Sequence, residues 1–164
     1  MTLSIAPATP ADVAAIVDLL AEIDRYYGGS APETPDDRAA LTARMLFGER
    51  PAAYVLLARD DAAVIGMAAY SYLWPAAGAT HSLFLKELYV RDNHRQTGAG
   101  RALMSRLAEI ADDAGCSRIE WTADHGNEPA EQFYQALGVT PDPSKPFYRV
   151  EDITARRQAW AKPS

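Results

Sequence analysis

Apolar positions follow two rhythms along this chain, and the switches between them mark out the elements. Leu3-Ser4-Ile5 alternates as a short strand does. A period near 3.6 then carries Ala15, Ile16, Leu19, Leu20 and Ile23, the buried stripe of a helix running to about Tyr26. Thr9 stands before that helix as N-cap, with Pro10 at the first helical position and Asp12 in the first turn. Tyr26-Tyr27-Gly28-Gly29-Ser30-Ala31-Pro32 breaks the pattern. A second helix is predicted from about Pro35 to Phe47, with Glu33, Asp36 and Asp37 adding negative charge near its start.

Alternation returns over Ala53 to Arg59 and Ala63 to Trp74, an antiparallel pair turned at Asp60-Asp61, and over Leu83 to Arg91. Period two groups Tyr54 with Leu56 and Ala58, and Tyr70 with Tyr72 and Trp74. Helical spacing resumes at Leu103, Leu107, Ile110, Ala111 and Ala114 and stops at Gly115-Cys116. Arg118 to Thr122 is the next strand. Asn127 then caps a helix that ends at Gly138 and whose inner face carries Ala130, Phe133, Tyr134 and Leu137. Val139 and Phe147 to Val150 predict closing strands around Pro141, Pro143 and Pro146, and Ile153 to Trp160 a short terminal helix.

Composition narrows the setting. With 164 residues, 48% of them apolar, the chain is the size of one domain, 1–164, with a substantial core. The net charge of −6 argues against a nucleic-acid partner and favours cationic substrates. The lone Cys116 excludes an internal disulfide and fits a reducing compartment. No apolar run reaches the length of a membrane span, and Met1 to Pro10 lacks the regions of a signal peptide, so the expected location is the cytoplasm. His81, His94 and His125 are scattered in loops, and Asp124 beside His125 is not metal-ligand spacing, so no metal is expected.

Chemistry concentrates in Leu85 to Ala111, where a strand breaks into a glycine turn that opens a helix. The first turn of a helix leaves backbone N–H groups unpaired at an electropositive end, a natural seat for an anion. Gly98 and Gly100 let phosphate oxygens approach the amides of Gln96, Thr97, Gly98, Ala99, Gly100 and Arg101. Arg101 in the first turn and Asp112 and Asp113 in the last oppose the helix dipole, and a bound polyanion would offset the Arg101 half of that conflict. A dinucleotide fingerprint would need glycine where Leu103 stands, and a P-loop would need a Gly-Lys-Ser/Thr that is absent.

The stretch Arg95-Gln96-Thr97-Gly98-Ala99-Gly100 resembles the coenzyme A signature of the GNAT acetyltransferases, R/Q-x-x-G-x-G/A. After the next helix and strand, Asn127-x-x-Ala130-x-x-Phe133-Tyr134-x-x-x-Gly138 is similar to the second signature of that family. Leu85-Lys86-Glu87-Leu88-Tyr89-Val90 with Asn127-Glu128-Pro129 looks closest to the spermidine/spermine (diamine) acetyltransferase branch. It departs from that branch at Lys86, where a first acidic residue is common.

The resemblance implies an α/β (α+β) fold, a mixed, mostly antiparallel sheet of six to seven strands flanked by four to five helices. It implies acetyl-CoA as co-substrate, a small-molecule amine as acceptor and a homodimer. It places Leu88, Tyr89 and Val90 along the pantetheine arm, Arg95 and the amides of residues 96–101 at the pyrophosphate, Asn127 across the arm, and Tyr134 near the sulfur as general acid. Glu87 is the candidate base, and Tyr26, Tyr27, Tyr72, Trp74 and Glu87 are the candidate acceptor-binding residues, aromatic walls and a carboxylate suiting an organic cation. Amino-acid-type, aminoglycoside and protein amines stay open as acceptors, as does a non-catalytic acyl-CoA-binding module.

Overall fold

A strand buried on both faces must be covered from both sides, and the inner strands of this chain are. The computed structural model describes residues 2–161, divided between Asp124 and His125 into two compact units. The first unit runs β1 (Leu3–Pro7), α1 (Val13–Tyr26), α2 (Pro35–Phe47), β2 (Tyr54–Asp60), β3 (Ala63–Leu73), β4 (Ser82–Val90), α3 (Ala99–Asp113) and β5 (Arg118–Trp121). These strands form one sheet in the order β1-β2-β3-β4-β5. Pairing is antiparallel from β1 through β4, and β5 lies parallel to β4. A parallel neighbour requires a crossover, which α3 provides.

Side-chain alternation splits the sheet into two apolar faces. Val55, Leu57 and Met67 pack with Ile16, Leu19 and Ile23 of α1. On the other face Leu56, Ala68, Leu83 and Leu85 are buried beneath α3, which contributes Ala99, Leu103, Leu107 and Ala111. Before α1 the Asp12 carboxylate accepts the Thr9 N–H at 2.8 Å and the Thr9 hydroxyl at 3.0 Å, and it also receives the Arg59 guanidinium at 2.6 Å, fixing that entry to β2. Buried Arg38 of α2 reaches Asp24 at 2.6 Å and Glu33 at 2.7 Å, which holds α2 against the end of α1.

In the second unit, α4 (Glu128–Ala136) starts where Asn127 accepts the Ala130 N–H at 3.3 Å. The chain leaves that helix through Gly138 at φ +82°. Asp152 caps α5 (Ile153–Trp160) through the Ala155 N–H at 2.9 Å. The expected closing strands are corrected here: among the described residues the sheet has five strands, and neither Val139 nor residues 147–150 pair as strand. Pro141, Pro143 and Pro146 remove N–H donors at short intervals, so the apolar residues after them are not drawn into a ladder. The expected count of helices, four to five, is met by α1 to α5.

Candidate active site

The geometry of the site begins with one extra residue. Across the β3–β4 ladder Tyr70 stands opposite Leu85 and Ala69 opposite Glu87, which leaves Lys86 unmatched as a β-bulge. Leu85 therefore faces α3, while Glu87 shares the α1 face with Ala69 and Tyr89. On the other edge of β4, pairing with β5 runs from Ser82 opposite Arg118 to Leu85 opposite Trp121 and goes no further. Among the described residues, no strand lies beside that edge from Lys86 to Val90.

Backbone direction on this open edge follows from two contacts. Arg91 N–H donates to Ile65 O on β3 at 2.9 Å, and the Tyr89 carbonyl lies so close to β3 that a Cβ on Gly66 would meet it at 2.6 Å. Alternation then turns the N–H and C=O of Leu88 and Val90 to the open side, the Val90 carbonyl accepting Arg95 Nε at 3.3 Å. Tyr89 instead sends its carbonyl to β3 and its side chain to the α1 face. Gly66 is required by this close approach, and its position inside an alternating run was the one sign of that in the sequence.

After β4 a 3-10 turn over Asp92–His94 leads into the glycine turn. Gln96 and Gly98 adopt φ +63° and +92°, and Thr97 Oγ1 donates to His94 O at 2.7 Å. Nothing lies within 4 Å of where a Gly98 Cβ would be, so the turn faces open space. Ala102 N–H makes its bond to Gly98 O at 2.9 Å, and the amides of Ala99 and Gly100 precede it. These features fit a diphosphate: a helix N-terminus, a bare Cα and room above it. Arg95 pairs with Asp92 at 2.7 Å and lies over the Tyr26 ring at 5.2 Å, linking the turn to the end of α1.

Glu87 is half-buried, and burial first, then the nearby Asp124 charge, push its carboxyl up, with Lys86 pulling the other way. Tyr27 is raised by burial and then by the charges of Glu87 and Asp124. Tyr27, Glu87 and Asp124 thus lie within electrostatic reach of one another, and Tyr26 meets Tyr27 edge-on at 5.1 Å. Tyr72 is elsewhere: it stands opposite Leu83, so it faces α3, among Tyr54 at 5.9 Å, Tyr70 at 6.1 Å and His81 at 5.4 Å. Trp74 lies beyond β3, 72% exposed, with Nε1 donating to Ala79 O at 3.0 Å. The structure brings Tyr26, Tyr27 and Glu87 together and leaves Tyr72 and Trp74 apart from them. Asp124 was not singled out from sequence.

Beside Tyr26 a cleft of roughly 550 Å³ is lined by Glu22, Arg25, Tyr89, Arg91, Asp92 and Asn93. Glu22 anchors it, accepting Arg91 Nε at 3.0 Å and the Tyr89 hydroxyl at 3.3 Å. In the second unit, Asn127 has its carboxamide oxygen committed to the cap of α4, and partly buried Tyr134 meets Phe133 edge-on at 5.3 Å. Burial raises the Cys116 thiol, which keeps it from being a ready nucleophile. Among the described residues no cluster of side chains has the makings of a metal site, and no helix is long and apolar enough to cross a membrane.

Residues 16–139 match the acetyltransferase (GNAT) family. The chain belongs to that family. As a GNAT protein it is an enzyme, an N-acetyltransferase. It is 27% identical over 140 residues to the thialysine N-epsilon-acetyltransferase of Bos taurus, covering 78% of each chain. With the phosphinothricin N-acetyltransferase of Streptomyces viridochromogenes it shares 27% identity over 143 residues, 83% of this chain and 73% of the other. Among solved structures, an integron cassette protein from the mobile metagenome of V. cholerae superposes with a TM-score of 0.85 at 30% identity, covering 97% of this chain and 98% of that one. The GNAT fold binds acetyl-CoA, which agrees with the open β4 edge and the glycine turn.

Proposed function

We propose that this GNAT enzyme transfers the acetyl group of acetyl-CoA to a primary amine of a small diamine- or polyamine-like molecule, by direct attack in a ternary complex. The observation that carries the reading is the unpaired edge of β4 beyond Leu85, with Glu87 turned by the Lys86 bulge onto the face that holds Tyr27. Acetyl-CoA supplies an activated thioester. Leu88 and Val90 offer backbone groups to an extended pantetheine arm, the amides of residues 96–101 and Arg95 hold the diphosphate, and Asn127 steadies the arm. Glu87 takes a proton from the incoming ammonium, so that the freed nitrogen attacks the acetyl carbonyl carbon. The Leu88 N–H serves the carbonyl oxygen as it gains negative charge. As the C–S bond breaks, the Tyr134 hydroxyl gives the sulfur a proton while the nitrogen gives up its second proton to solvent, from which the tyrosinate is reprotonated, leaving an N-acetyl amine and coenzyme A.

Thiol release measured with a panel of amines tests this. Turnover on diamines or polyamines is expected. Binding of acetyl-CoA without turnover on any amine, across several pH values, would instead favour the acyl-CoA-binding module.

A second reading has its own support. Lys86, exposed on β4, puts a cation where a polyamine enzyme would present a carboxylate, and it would suit an acceptor that carries a carboxylate of its own. An amino acid with a side-chain amine meets that description, in keeping with the likeness to the thialysine enzyme. Turnover on basic amino acids in the same panel, with none on diamines, would select it.

A further inference from the structure

We propose, resting on the acetyl-transfer reading above, that Arg95 selects the acyl donor: it covers the last hydrogen-bonding site for a pantetheine arm and yields it only to an arm that carries a diphosphate. Arg95 stands where the two parts of coenzyme A would meet. The open edge of β4 ends just before it, and the amides of residues 96–101 begin directly after it.

Three contacts fix the guanidinium as it lies. Nε donates to the Val90 carbonyl at 3.3 Å, Nη2 pairs with Asp92 Oδ1 at 2.7 Å, and Cζ lies 5.2 Å from the centre of the Tyr26 ring. The first of these bears on the donor. Among the backbone groups that Leu88 and Val90 turn to the open side, the Val90 carbonyl is the acceptor next to the turn. An amide of a pantetheine arm running along β4 would bring its N–H to that oxygen, where Arg95 Nε already points. Pantetheine is uncharged, so it has nothing with which to draw the cation away.

A diphosphate has. At 3.3 Å the bond to Val90 is long for N–H···O, and Asp92 is 79% exposed, so its ion pair is of the surface kind that contributes little. Phosphate oxygens at the start of α3 would offer the guanidinium charged, paired acceptors, a stronger partner than either. The backbone need not move for this exchange. Arg95 N–H stays on Asp92 O at 3.2 Å, and Thr97 Oγ1 on His94 O at 2.7 Å, while the side chain turns. Turning to the diphosphate, Arg95 uncovers Val90 for the arm and leaves the face of Tyr26.

Arg95→Met keeps the length of the side chain and removes its donors, and because Arg95 is exposed the variant is expected to fold. The unaltered chain and the variant are titrated with coenzyme A by calorimetry and with pantetheine by ligand-observed NMR. The two ligands are expected to respond in opposite directions. Coenzyme A should bind the variant about tenfold more weakly, and pantetheine about two- to fivefold more tightly. Loss of a mere brace for the turn would weaken both ligands, and loss of a simple diphosphate contact would leave pantetheine unchanged. Either of those results, or a coenzyme A affinity that does not fall, overturns the inference and leaves acetyl transfer standing. An unaltered chain that binds no coenzyme A overturns the reading and this inference together.

Discussion

Leu85 and Glu87 sit two residues apart on one strand and face opposite sides of the sheet, because Lys86 between them has no partner across the ladder. Strict alternation would have placed both beneath α3. With the bulge, Leu85 stays in the core and Glu87 emerges on the face of Ala69 and Tyr89, in reach of Tyr27 and Asp124. The same region of β4 loses its β5 neighbour, so a side chain and a backbone edge become available together.

If Glu87 is the base, Glu87→Gln should lower kcat/KM by about 10²–10⁴ and remove the acid limb of its pH profile. Stability should move the other way. Glu87 is raised in the folded protein, so its contribution to stability is present in full below the unfolded value and is lost as pH rises through the folded one. At neutral pH the Gln variant should therefore melt above the parent, an advantage that fades as the pH falls toward about 4. Thermal melts at several pH values, alongside the rate profile, check both halves.

Tyr134→Phe should reduce kcat by about a hundredfold or more while acetyl-CoA affinity changes little. The loss concerns proton delivery to sulfur rather than binding. Steady-state rates paired with calorimetric titration of the cofactor would show it, and unchanged turnover would remove Tyr134 from the reaction.

At Gly98 a side chain would meet no neighbour, yet φ is +92°. Gly98→Ala should thus cost about 1–2 kcal/mol through backbone strain alone. Gly98→Val should also fill the space in which the diphosphate is proposed to lie, abolishing coenzyme A binding while the circular dichroism spectrum keeps its native form. Tight binding by the Val variant would contradict the cradle.

Gly66→Ala should act in the opposite manner, by collision. Its methyl would meet the Tyr89 carbonyl at 2.6 Å and Val90 at 3.2 Å, forcing β3 and β4 apart. A loss of about 1–3 kcal/mol is expected from such overpacking. A melting temperature lowered by several degrees, with weaker acetyl-CoA binding from the displaced β4, is the signature to measure.

Sequence alone determined the five helices, the first five strands and the two signature turns of this protein. The stripe from Ala15 to Ile23, the caps at Thr9 and Asn127 and the left-handed glycine ahead of α3 are local features, written in residues close to one another in the chain. The tertiary structure decided what those elements share. Whether Glu87 follows Leu85 into the core depends on how β3 registers against β4, and the apolar run alone does not reveal a bulge. Tyr72 looked like a companion of Glu87 until pairing with Leu83 set it on the α3 face. The open stretch of β4 became evident only once β5 was seen to stop pairing at Trp121, and the proline-interrupted tail kept its strand-like residues without finding a ladder. Periodicity records which residues avoid water; which edge of a strand stays open is fixed only when its neighbours are in place.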